Sequence, residues 1–167
     1  EPLLDDSVSA ESFEIIINKL MQTYPVVIVD LSGAPVDICR NVLARANDVL
    51  IVSTPTLSSL RSARGLLQEA KTIRGDKGDG LHIVLNKKGI GSGFEVSESD
   101  MALALKEKPD MVIPFVPKIF GAAEAQGKSL SSISGSADIV ADVKKFMIEN
   151  CGLSAEKVST TTASNVK

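Results

Sequence analysis

The chain has 167 residues, enough for one domain with a full core. It is 44% hydrophobic, contains no Trp and carries a formal net charge of −3. An aliphatic core follows, and the charge gives no basic footprint for nucleic acid. No apolar run approaches the roughly 20 residues of a membrane-spanning helix.

The first predicted element is a helix over residues 9–23. Phe13, Ile16, Ile17, Leu20 and Met21 recur there at the spacing of one helical face. Tyr24-Pro25 stops it. Val26-Val27-Ile28-Val29 is an unbroken β-branched run ending at Asp30. It predicts a strand buried on both faces. A turn over 31–35 leads to a helix with Cys39, Val42, Leu43 and Ala46 on one face.

The pattern then repeats. Val49-Leu50-Ile51-Val52 reads as a second buried strand, ending in Ser53-Thr54-Pro55. A helix over 57–73 turns Leu60, Ala63, Leu67 and Ala70 inward. Residues 81–86, LHIVLN, form a third strand, followed by a glycine-rich loop over 87–93. Gly89, Gly91 and Gly93 lack the G-x-G-x-x-G spacing and read as a mobile loop. Ser97 and Asp100 carry the spacing of a helix-capping pair. Met111-Val112-Ile113 is a fourth short strand, closed by Pro114. The last helix, over 136–150, gathers Ile139, Val140, Val143, Phe146 and Met147 on one face. Its polar face mixes Asp138, Asp142 and Glu149 with Lys144 and Lys145, which suits core packing over an anionic membrane. Residues 1–152 are assigned to the folded domain, and 153–167 to a disordered polar tail.

Strands alternating with helices predict an α/β fold, a doubly wound, mostly parallel sheet with helices on both faces. In such sheets ligands bind at the carboxyl ends of the strands. Attention therefore falls on the residues just after each strand. Asp30 at a strand mouth is suited to holding Mg²⁺ through water, or to capping the next turn. Gly33 follows at the spacing where a glycine lets a backbone N–H approach a phosphate. Asn86-Lys87-Lys88-Gly89 has no carboxylate at its fourth position, so it lacks the group that reads guanine. A single carboxamide at Asn86 suffices for adenine, or for a turn after the strand. His82, inside an apolar strand, reads as a packed side chain, since a ligand role needs partners. Arg61 and Arg64 fall on a polar helix face. Cys39 and Cys151 fit neither a zinc spacing nor a disulfide framework and are expected as reduced thiols in a cytoplasmic protein.

The segments YPVVIVDLSGAP, ANDVLIVSTPTLSSLRSARGLL, HIVLNKKG and IPFVPKIFGAAEAQGKSL, in this order, resemble the C-terminal half of the MinD/ParA superfamily of P-loop ATPases. The resemblance is closest to the TadZ/CpaE pilus-assembly branch. It implies ATP and Mg²⁺ as ligands, a homodimer, and a role in localising Flp/Tad pilus-assembly or secretion machinery at the cell pole. By resemblance Asp30 and Gly33 take the switch or Walker B position, and Asp30 the Mg²⁺ side. Asn86 takes the adenine-recognising position, and Pro114, Phe115, Val116 and Pro117 the loop lining adenine. The Ser53-Thr54-Pro55 turn and the helix after it match a segment near the family's dimer face.

One departure is large. No G-x-x-x-x-G-K-[ST] loop occurs in the chain. With Glu1 in place of Met, the expectation is a fragment whose phosphate loop lies upstream, itself inactive as an ATPase. Loss of that central strand is expected to bare apolar strand edges, to be covered by a second copy or rearranged. Two alternatives stand beside this one. The first is a non-catalytic protein-interaction scaffold of the same fold. The second is a receiver-like signalling domain, in which Asp30, Thr54 and Lys87 fall in the right order. That reading lacks an acidic pair after a first strand and a Pro after the Lys.

Overall fold

A computed structural model describes residues 9–75, 79–91, 93 and 95–154. The expected tail, from 155 onward, lies outside the described residues. The chain divides into two compact units, residues 1–46 and 47–167.

The first unit holds two helices. α1 spans Ala10–Thr23 and is started by Ser9, whose hydroxyl accepts the Ser12 N–H at 3.2 Å. α2 spans Val36–Arg45. Arg45 ties the two helices by donating to Glu14 at 2.8 Å and to Asn18 at 2.6 Å. Packing here is thin. No residue of α1 is fully buried, and Ile16, on its predicted inward face, is half exposed. Ile38 is the buried residue of α2, with Cys39, Val42, Leu43 and Ala46 half-buried around it.

The expected strand over 26–29 is not formed. Among the described residues those four positions belong to no ladder, and Ile28 is 83% exposed. A β-branched run favours extended backbone, but a strand also needs a neighbour to take its N–H and C=O groups.

The second unit is an α/β layer structure. Its sheet has three parallel strands among the described residues, in the order β1-β2-β3. β1 is Val49–Ser53, β2 is Leu81–Lys88 and β3 is Met111–Pro114. Each crossover carries a helix, α3 (Leu57–Ile73) after β1 and α4 (Glu98–Leu105) after β2. α5 (Pro117–Gln126), a 3-10 turn at Leu130–Ser132 and α6 (Ala137–Asn150) follow β3. The sheet is thus three-stranded, one short of the sequence expectation.

β2 is central, and its residues 81–85 are all buried. Leu81, Ile83 and Leu85 join Ile51 and the predicted inward face of α3, Leu60, Ala63, Leu67 and Ala70. Met101 and Leu105 of α4 complete that cluster. Val84, on the opposite face, packs with Met111 and with Phe146 of α6. Helices therefore cover both faces of the central strand, which is why its run shows no polar alternation. Ser97 caps α4 as expected, accepting the Asp100 N–H at 3.1 Å. β1 is an edge strand, and its Leu50 and Val52 are 40% and 60% exposed.

The amino ends of β1 and β2 meet at a tight junction. Val49 N–H donates to the Gly80 carbonyl at 2.7 Å. Gly80 has φ +72°, and a Cβ there would lie 2.2 Å from the Asn47 carbonyl oxygen. Only glycine fits that approach. The Arg74 guanidinium closes it by donating to the carbonyls of Asn47 and Asp79.

Candidate functional site

The carboxyl ends of β1, β2 and β3 present three turns. After β1, the Ser59 hydroxyl reaches back from the first turn of α3. It accepts the Thr54 N–H at 3.0 Å and lies 3.0 Å from the Ser53 hydroxyl. Ser53 and Pro55 are buried, so this turn is fixed. The Pro55 carbonyl in turn accepts the Val96 N–H at 2.8 Å.

β2 ends in a bulge. Leu85 pairs with Val112 and Lys88 with Pro114, so Asn86 and Lys87 together stand opposite Ile113. Bulges re-aim side chains and are frequent beside functional sites. Lys87 has φ +62° and Gly89 φ +88°. A non-glycine residue at positive φ is sparse, and Asn86 steadies it by accepting the Lys87 N–H on Oδ1 at 2.8 Å. Gly89 therefore has a backbone reason of its own, because a branched or acidic side chain there would be strained. The strand also runs two residues further than Asn86, to Lys88.

β2 and β3 bring the predicted base-side residues together. Phe115 N–H donates to the Lys88 carbonyl at 2.7 Å. Asn86 and Pro114 thus share one end of the sheet, with the Phe115 ring 38% exposed beside them. The loop expected over Pro114, Phe115, Val116 and Pro117 is shorter than expected. Pro114 closes β3, Val116 caps α5 and Pro117 is the first residue of that helix. A proline at this position costs no intrahelical hydrogen bond.

Glu95 is a residue that sequence reasoning missed. Its carboxylate meets Lys88 Nζ at 2.7 Å and accepts the Gly89 N–H at 3.0 Å. The glycine-rich segment after β2, expected as a mobile loop, is thus tied at its first residue. The Lys88 ammonium is the main cause holding the Glu95 carboxyl below the usual range, and burial works against it.

Asp30 and Gly33 lie in the first unit. Asp30 closes an Asx-type turn: its Oδ1 accepts the Ser32 N–H at 2.9 Å and the Ser32 hydroxyl at 2.6 Å. Ala34 N–H then donates to the Leu31 carbonyl, and Gly33 takes φ +73°. This is the turn-capping reading of Asp30. The strand end before Asp30, which the switch and the receiver-like readings both expect, is not formed among the described residues. The Ser32 hydroxyl, then its N–H, hold the Asp30 carboxyl below its ordinary value. A group with a depressed folded pKa contributes stability above its unfolded pKa and loses it as pH falls through the folded one. Ser32→Ala is expected to move the Asp30 titration upward toward the ordinary aspartate range, measured by carboxyl-carbon NMR.

The fit to ATP and Mg²⁺ is uneven. Asn86 Oδ1 retains a second lone pair, and its amide nitrogen has no hydrogen-bond partner among the described residues, so a donor–acceptor pair for adenine is present. The Asp30 carboxylate, the group that the resemblance gives to Mg²⁺, belongs to the other unit and has one oxygen engaged by Ser32. No helix among the described residues is long and apolar enough to cross a membrane. Comparison with family models, curated proteins and solved structures finds no match for this chain.

Proposed function

We propose that this chain is the switch and base-recognition half of a MinD/ParA-type ATPase of the TadZ/CpaE kind. In this reading a longer parent binds ATP and Mg²⁺, dimerises, and positions Flp/Tad pilus-assembly or secretion machinery in the cytoplasm, at the cell pole. Its sheet is then the C-terminal part of a doubly wound, P-loop-type sheet. The observation that carries the reading is the pairing of the Asn86 bulge with the Pro114-Phe115 segment at the carboxyl end of a parallel sheet. That is where an α/β sheet takes its ligand. The ordered set of strand-end motifs adds support.

In this reading Asn86 reads the adenine edge, backbone groups of the segment from Pro114 to Pro117 line the base, and Asp30 with Gly33 answers the γ-phosphate and Mg²⁺. Asn86→Ala in the full-length parent is expected to weaken ATP binding about tenfold, the loss of one paired hydrogen-bonding group. Asp30→Ala is expected to remove ATP-dependent dimerisation. Calorimetry and light scattering with ATP read both. Unchanged affinity and dimerisation in both variants rule the assignment out.

A second reading is a non-catalytic interaction scaffold of the same fold, and the upstream sequence of the parent discriminates the two: a parent with no phosphate loop there favours the scaffold. It predicts partner binding by the full-length protein that is indifferent to added nucleotide.

A further inference from the structure

The amino end of the sheet, opposite the strand ends discussed above, gathers three metal-ligating side chains from three elements. Asp48 immediately precedes β1, His82 is the second residue of β2, and Cys151 caps the end of α6. A carboxylate oxygen, a ring nitrogen and Sγ all lie within 4.8 Å of one another. Among the described residues this is the one grouping of three or more such donors.

The strand register places two of them. Leu50 pairs with His82, so Asp48 stands just outside the pairing and its Oδ1 reaches His82 Nε2 at 3.2 Å. His82 is 9% exposed and points to the α6 face of the sheet. There the Phe146 ring meets it edge-on, with centroids 5.5 Å apart and planes at 88°. Phe146 thereby limits how far the imidazole can turn. The last turn of α6 carries the third donor: Cys151 N–H donates to the Met147 carbonyl at 3.2 Å, which brings the half-buried thiol over the Asp48–His82 pair.

We propose that Asp48, His82 and Cys151 form a zinc site that fastens the end of α6 to the sheet. The donor set is one nitrogen, one sulfur and one oxygen. Zn²⁺ accepts all three in tetrahedral geometry, while Mg²⁺ and Ca²⁺ take oxygen ligands. Tetrahedral Zn²⁺ with bonds of 2.0–2.3 Å sets its ligands about 3.3–3.8 Å apart. Closing from 4.8 Å needs about 1 Å of movement at the widest pair, within reach of a rotation at the Cys151 side chain. The fourth position falls to water. A divalent cation takes the place of the thiol proton and neutralises the charge that Asp48 brings. The site does not depend on the nucleotide reading, because the two occupy opposite ends of the strands.

The test is a titration of the chelator-treated chain with Co²⁺, followed by competition with Zn²⁺. One equivalent of Co²⁺ is expected to bring up thiolate-to-cobalt charge-transfer absorption, which Zn²⁺ then bleaches. Zn²⁺ is also expected to raise the thermal midpoint. Cys151→Ser should abolish the absorption, and Cys39→Ser should leave it intact. Asp48→Asn, at a partly exposed position, should weaken Co²⁺ at least tenfold. Absence of charge-transfer absorption in the folded chain overturns the site. So does absorption that survives Cys151→Ser or disappears with Cys39→Ser.

Discussion

A Gly80→Ala variant is expected to lose about 3–5 kcal/mol of stability in the second unit, through backbone geometry alone. Two costs combine. At φ +72° an alanine pays about 1–2 kcal/mol for its Cβ. That Cβ then meets the Asn47 carbonyl oxygen at 2.2 Å, a contact with main chain that no rotamer change can relieve. Relief requires moving Asn47 away from Gly80, which loosens the Val49–Gly80 hydrogen bond that starts the β1–β2 ladder. Gly75→Ala separates the two costs. Gly75 has the same φ of +72° but nothing within 4 Å of an added Cβ. It should lose only the conformational part. Urea unfolding of the two variants beside the parent reads the difference, and equal losses would show that the contact is relieved cheaply.

Leu60→Ala is expected to cost about 3–5 kcal/mol, the upper part of the range for a buried leucine. Leu60 is 0% exposed and sits where α3 faces Ile51 and Leu85 across the sheet. Strands and helix hold the walls of the resulting hole apart, so collapse is limited. Leu66 in the same helix is 54% exposed, and Leu66→Ala should stay within about 0.5 kcal/mol. Thermal or urea unfolding of the pair measures how far α3's inward face carries the unit. A small effect of Leu60→Ala would mean that the core repacks readily.

α3 was legible because its signal is local. Leu60, Ala63, Leu67 and Ala70 recur with the helical period, and those four are the helix's buried residues. β1, β2 and the Ser97 cap were legible for the same reason. The segment at 26–29 was misread because its composition specifies extended backbone and says nothing of the strand that would pair with it. α5 went unread: Gly121 interrupts its pattern and no residue in it is fully buried, so there was little periodicity to find. At the candidate site, Asn86 was visible from its place after a strand. The bulge that turns it was not, because it depends on register between β2 and β3, and the Glu95 clamp was not, because it depends on how the loop after β2 folds back on Lys88 and Gly89. Asp48, His82 and Cys151 are the extreme case. They are far apart in the sequence, and their meeting is a product of sheet and helix packing.

The strands lie side by side in the order in which they are synthesised, β1 then β2 then β3. Each pairing closes a single crossover, the shortest connection parallel strands allow. As the chain leaves the ribosome, β2 finds β1 and α3 already made, and β3 then finds β2. No strand has to wait for a distant partner or displace an earlier one. Among the described residues the strand order is thus compatible with assembly in the direction of translation.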